Sequence, residues 1–166
     1  VPAFYVNQYA NTGERLTDYE RYVENCEKLG VTGVKDALDR MIVCDDIIAN
    51  YDRHWRNFGL VRNVNSLVCR PAPIFDSGSS LWCNISLEEL SAGEHSFTSA
   101  QFHSSPAKQM LLVEDMSWFD GDKLEGFVDE AIEILSRNDA LTARLPYLKE
   151  ALTWRLRRMI DIAEWS

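Results

Sequence analysis

The sequence is short of histidine, of closely spaced cysteines and of long apolar runs, and each shortage removes a class of protein. Only three histidines occur in 166 residues, and His95 and His103 lie in a polar stretch without a partner at metal-ligand spacing. Cys26, Cys44, Cys69 and Cys83 form no C-x-x-C pair, which argues against zinc. A chain of this length needs no disulfide staples, so the four read as reduced thiols of a cytosolic protein. No apolar stretch approaches the roughly 18 residues of a membrane span. Val1-Pro2-Ala3-Phe4-Tyr5 has neither the basic nor the apolar region of a secretory leader. The first residue is not Met, and the expectation is a piece cut from a longer protein.

A hydrophobic fraction of 46% excludes wholesale disorder and fits one globular domain spanning residues 1–166. The net charge of −9 argues against a nucleic-acid-binding surface, because phosphate backbones are held by clustered Lys and Arg. The charge is uneven. Residues 53 to 75 contain no acid, and Arg53, Arg56, Arg62 and Arg70 give the segment +4, so the rest of the chain carries −13. Asp52 and Asp76 bracket this stretch. A cationic segment between carboxylates suits a metal–phosphate ligand, although a solvated hairpin with scattered arginines has the same pattern.

Periodicity predicts a mostly helical domain with one hairpin excursion. Val1 to Tyr9 reads as a short extended lead-in. Thr17-x-x-Glu20 is a capping box, and Gly30 is a natural stop for the amphipathic helix between them. A second helix is predicted from about Val34 to Ile48, with Val34, Leu38, Met41, Ile42, Asp45 and Ile48 on or near one face. It reads as the buried central helix. Phe58 to Val61 and Leu67 to Cys69 are short β-like runs on either side of Arg62-Asn-Val-Asn-Ser, a hairpin pattern that Pro71-Ala-Pro73 should end. Ser86-x-x-Glu89 caps a short segment. Ser91 to Ser104 reads as a mobile polar loop. Pro106 should start a helix to Val113, Asp120 or Asp122 should cap one to about Arg137, and the last begins near Pro146.

The segment that carries chemistry is Asn50-Tyr51-Asp52-Arg53-His54-Trp55-Arg56-Asn57-Phe58, followed by Phe75-Asp76-Ser77-Gly78. Phosphoryl transfer needs Mg²⁺, a hard cation that takes oxygen ligands from one or two carboxylates and from the phosphates. It also needs a carboxylate beside the attacking hydroxyl. Protein kinases arrange these groups as D-x-x-x-x-N followed by an Asp beside a Gly. Asn57 stands five residues after Asp52, and Asp76 follows 24 residues after Asp52 across the predicted hairpin. Gly78 is expected to allow the sharp backbone path after Asp76.

The run N-Y-D-R-H-W-R-N-F-G-L resembles the catalytic loop of HipA-like serine/threonine kinases, and P-I-F-D-S-G-S-S-L-W resembles their metal-binding segment. V-P-A-F-Y-V-N-Q and E-D-M-S-W-F-D are similar in flavour to that family, so the resemblance spans most of the chain, with its specific part between Asp52 and Asp76. It implies a mainly α, kinase-like C-terminal lobe with a small β-hairpin carrying the active-site residues. By resemblance Asp52 is the catalytic base, Asn57 a Mg²⁺ ligand and Asp76 the principal Mg²⁺ ligand facing ATP, with Arg53 and His54 supporting the loop. His54 would pack and hydrogen-bond to hold it. The implied partners are a protein substrate with a Ser or Thr hydroxyl and a DNA-binding antitoxin. Phosphoinositide-type kinases share the D-R-H-x-x-N core, so a lipid or small-alcohol kinase is an alternative, as is a pseudokinase serving as a binding module.

Two departures stand beside the resemblance. Ser77 replaces the aromatic of D-F-G. No glycine-rich phosphate loop followed by a strand with a nucleotide-binding Lys is present, and the only Lys before the motif are Lys28 and Lys35, on predicted helices. The nucleotide-clamping N-terminal lobe is therefore expected in cis outside this chain. Elsewhere the plain readings prevail. Arg53 orients a loop carbonyl or carboxylate. Asp45 and Asp46, at a helix end that does not favour acids, read as solvated surface, with one of them able to hold the loop arginines. Trp118 and Phe119 pack helices together, and the five tryptophans, Trp154 and Trp165 included, read as core.

Overall fold

Thr17 and Glu20 open the first long helix as the sequence predicts. The structure, a computed structural model, describes residues 1–9, 16–93 and 95–165. In it the Thr17 side chain accepts the Glu20 N–H, and the Glu20 carboxylate accepts the Thr17 N–H at 2.8 Å. The elements are α1 (Ala3–Asn7), α2 (Asp18–Lys28), α3 (Val34–Ile47), β1 (Leu60–Arg62), β2 (Cys69–Pro71), α4 (Leu87–Ser91), α5 (Pro106–Met110), α6 (Phe127–Leu135) and α7 (Leu145–Glu164). Short 3₁₀ turns at Gly121–Leu124 and Asp139–Arg144 precede α6 and α7. Among the described residues the protein is mainly helical with one small antiparallel hairpin. No helix among the described residues is long and apolar enough to cross a membrane.

The central position of α3 follows from its composition. Apolar residues occupy enough of its circumference that it packs on two sides. Leu38, Met41 and Ile42 join α2 and the hairpin through Tyr22, Cys26, Phe58 and Leu60. Val43 and Ile47 face Met159 of α7 and Met116, which lies in the segment after α5. A further cluster centres on Trp82, Leu148 and Leu152 beneath α4 and α7. Trp55, Phe58 and Phe102 stack edge to face on Tyr19 and Tyr22, which anchors the loop after Asp52 to the core.

Several expectations change. Residues 3–7 form α1 rather than an extended lead-in, and Pro2 makes an isolated bridge to Gly59 at the hairpin. That close approach requires glycine at 59, with φ 152°, because a Cβ there would lie 2.3 Å from the Val1 carbonyl oxygen. The ladder does end at Pro71, as expected, with the proline itself in the last position, opposite Leu60, where its missing N–H is tolerated. α5 stops at Met110. The helix after Asp120 is broken: a 3₁₀ turn and a left-handed Gly126 intervene before α6 begins at Phe127.

The polar segment 91–104, of which Glu94 lies outside the described residues, is pinned by hydrogen bonds. The Trp82 indole N–H donates to the Ser96 carbonyl at 3.1 Å, and Arg155 donates to that of His95 at 2.7 Å. Buried Gln109 bridges the His103 N–H and the Ala100 carbonyl, each at 2.9 Å. Trp82 is core, but Trp154 and Trp165 are 52% and 90% exposed, on the outer face and at the end of α7.

Candidate active site

The loop from Asn50 to Phe58 leaves the C-terminal end of α3 through Ala49, a non-glycine residue with φ 52°. Within the loop one carbonyl organises the turn. The Asp52 oxygen accepts the His54 N–H at 2.8 Å and the Asn57 side-chain amide at 3.0 Å. The Asn57 Nδ2 is thereby engaged inward. Its Oδ1, the only atom of that side chain able to ligate a cation, has no hydrogen-bond partner among the described residues. Asn57 is buried, Asp52 half-buried and Asp76 exposed. Neither the Asp52 nor the Asp76 carboxylate accepts a hydrogen bond or forms an ion pair among the described residues.

Arg53 is the residue around which the site is built. Its side chain is buried, with residue exposure of 1%. Nε and Nη2 each donate at 2.8 Å to the two carboxylate oxygens of Asp45, a bidentate pair in the interior. Nη1 donates to the Asn57 carbonyl at 2.8 Å and also to the Phe75 carbonyl, and Nη2 reaches the Ser77 hydroxyl at 3.0 Å. The two carbonyls share one nitrogen, so they lie within about 6 Å of each other, two hydrogen-bond lengths. The structure thus brings the loop carrying Asn57 and the segment carrying Asp76 together on a single guanidinium. Two backbone ties run beside it: Tyr51 N–H to the Ser79 carbonyl at 3.1 Å and Leu81 N–H to the Ile48 carbonyl at 2.8 Å.

The backbone after Phe75 is unusual. Asp76, Leu81 and Trp82 all have positive φ, at 55°, 57° and 52°. Asp tolerates the left-handed region better than most residues, because its short side chain can bond locally. The sharp turn therefore falls on Asp76 itself and not on Gly78, whose φ is not left-handed and where a Cβ would meet nothing within 4 Å. His54 is exposed rather than packed, and its Nδ1 accepts the Arg56 N–H at 3.3 Å.

The largest correction concerns Asp45 and Asp46, which are not solvated surface but 6% and 3% exposed; Asp45 is the one that holds a loop arginine, the other possibility that the sequence left open. Asp45 holds Arg53 and accepts the Asn50 amide at 2.9 Å, while the Asn50 side-chain oxygen accepts the Asp52 N–H at 3.2 Å. Asp46 receives Arg158 at 2.7 Å and lies 3.4 Å from the buried Arg155, which also donates to the Asp46 carbonyl at 3.0 Å. Burial pushes the Arg155 guanidinium down from its ordinary value, against the pull of Asp46. The residues that sequence reasoning missed are Asn50 and Ser77. The signal for Asp45 was present: an acid on the apolar face of a helix, eight residues before an arginine.

Among the described residues no three His, Cys, Asp or Glu side chains gather into a metal cage. The donors that the loop and the segment offer are hard oxygens, the carboxylates of Asp52 and Asp76 and the amide oxygen of Asn57. That set fits Mg²⁺, which relies on phosphate and water oxygens for the rest of its shell, better than it fits a metal held by protein alone.

Over 42 residues the chain is 48% identical to the serine/threonine-protein kinase CtkA of Helicobacter pylori, which is 25% of this chain and 13% of that protein. The relationship is kinase-like. The chain thus spans about an eighth of the length of the curated relative it matches. No family model and no solved structure matches.

Proposed function

We propose that this chain is the metal-binding lobe of an ATP-dependent serine/threonine protein kinase of the HipA-like type. The observation that carries the reading is the shared guanidinium of Arg53, which fastens the Asn57 loop to the segment flanking Asp76. A site of two separated motifs works only if such a fastening exists, because positioning supplies most of the rate in phosphoryl transfer.

In this reading Asp76 and the Asn57 Oδ1 hold Mg²⁺, which when bound neutralises charge on the phosphate oxygens. Asp52 orients the acceptor Ser or Thr hydroxyl and receives its proton. The new bond joins that oxygen to the γ-phosphorus, the bond to the β,γ-bridging oxygen breaks, and ADP leaves. Arg53 stays in the interior and does not touch phosphate. The other wall of the nucleotide cleft belongs to an N-terminal lobe in cis, and a DNA-binding antitoxin docking on a cytoplasmic enzyme would complete the HipA-like picture.

The test is transfer of labelled γ-phosphate from ATP by the full-length protein that contains this chain, offered Ser/Thr peptides and, separately, phosphoinositide vesicles. Mg²⁺-dependent peptide labelling supports the reading. Labelling of lipid alone would replace the acceptor class, and nucleotide binding without transfer to any acceptor would make the protein a pseudokinase. The isolated 166-residue chain is expected to fold yet show negligible turnover, because half of the cleft is elsewhere.

A further inference from the structure

We propose that Asp45 and Arg53 form a positioning pair that sets the backbone of Asp76 against that of Asn57, with the Ser77 hydroxyl as the latch on the metal-holding segment. The inference rests on the kinase reading for what the site holds, and on the hydrogen bonds alone for its geometry. Asp76 is left-handed at φ 55°, a conformation that a non-glycine residue keeps only when its surroundings over-determine it. The anchors lie on both sides of it. The Phe75 carbonyl precedes Asp76 and the Ser77 hydroxyl follows it, and both accept from Arg53. Ser80 adds a third tie through its hydroxyl to the Ser77 carbonyl at 2.7 Å.

The guanidinium can aim at these acceptors only because its opposite edge is fixed. Asp45 takes two of its N–H groups from the buried end of α3, and Asn50 holds Asp45 in turn. A lysine at position 53 would keep the charge but could not span Asp45, Asn57, Phe75 and Ser77 at once. This also accounts for Ser77. The position that carries an aromatic in D-F-G here carries a hydroxyl that a buried arginine can grip, so a hydrogen bond replaces packing as the means of fixing the aspartate beside it.

The test uses the full-length protein with Arg53→Lys, Ser77→Ala and Ser77→Thr, and with Leu152→Ala as a control that loosens a core cluster to which neither Arg53 nor Ser77 belongs. For each, the Mg²⁺ half-saturation of ATP binding and of phosphotransfer is measured well below the melting temperature. Ser77→Ala should raise the Mg²⁺ half-saturation roughly fivefold, the order of one lost hydrogen bond. Arg53→Lys should raise it by about tenfold or more, as loss of a charge-assisted bond would. Ser77→Thr, which keeps the hydroxyl, should restore it, and Leu152→Ala should lower the melting temperature with no change in Mg²⁺ dependence. If the site variants lose stability but keep wild-type Mg²⁺ dependence, as the control does, the positioning proposal is overturned while the kinase reading stands. If the wild type itself shows no Mg²⁺-dependent nucleotide binding, both fall together.

Discussion

Replacing Arg53 by Met tests the energetic centre of the structure. The side chain is 1% exposed, and its partner Asp45 is 6% exposed. Removing the arginine leaves a buried carboxylate with the Asn50 amide as its remaining hydrogen-bond donor among the described residues. Breaking a buried pair from one side costs about 3–5 kcal/mol, because the stranded charge cannot recover its hydration. That is a large fraction of the roughly 5–15 kcal/mol that holds a domain together. Asp45→Asn should cost less, about 1–3 kcal/mol, since Arg53 keeps its bonds to Asn57, Phe75 and Ser77. In the double variant no charge is stranded, so its loss should fall short of the sum of the single losses by about 2 kcal/mol. Urea unfolding at pH 7, followed by tryptophan fluorescence, measures all three. A loss below about 1 kcal/mol for Arg53→Met, or additivity in the double variant, would refute the reasoning.

Three further outcomes follow from other parts of the molecule. Burial pushes the Cys26 thiol up from 9.0 to about 11 and the Tyr19 phenol up from 10.0 to about 12. Stability should therefore be intact below pH 9 and fall as pH rises toward 12, because the unfolded chain releases protons that the fold retains; unchanged urea midpoints between pH 8 and 10.5 would contradict this. A thiol reagent at neutral pH should modify exposed Cys83 first and buried Cys26 only on unfolding, as mass spectrometry of timed samples would read. Gly59→Ala should lower stability by about 2–4 kcal/mol, because its Cβ would enter the backbone of residues 1–3; a calorimetric melting temperature within a degree of wild type would count against the packing described.

Much of this was legible in the sequence where a local signal sets the structure. Thr17 with Glu20 and Ser86 with Glu89 both form the capping boxes that their spacing implies. The period of α3 marked it as central, and the hairpin lies where turn residues separate two apolar runs. What was not legible depends on contacts far apart in the chain. Residues 1–9 carry no strong helical pattern, and α1 is held by bonds from Ala3 and Phe4 to the Phe58 and Trp55 carbonyls, both at 2.9 Å. The segment 91–104 reads as loose from its serines, yet Trp82, Gln109 and Arg155 hold it. Asp45 and Asp46 look like surface acids at an unfavourable helix end, because the arginines that neutralise them sit eight or more than a hundred residues away. The site followed the same division. The interval from Asp52 to Asn57 and the downstream Asp76 stood out as a pattern, whereas Arg53's grip on both segments emerged only from the fold.

In the proposed kinase reading Asp76 serves the metal and Asp52 the acceptor hydroxyl. It is tested most directly by titrating Mg·ATP into full-length protein bearing Asp76→Ala or Asp52→Ala, then following single-turnover transfer at saturating nucleotide. Asp76→Ala should lose productive Mg·ATP binding, since it removes the carboxylate that meets the cation in the ground state. Asp52→Ala should bind nearly as the wild type does and lose transfer, since it removes the group that acts as the acceptor attacks. An Asp52→Ala protein that fails mainly in nucleotide affinity, with transfer preserved at saturation, would contradict the assignment.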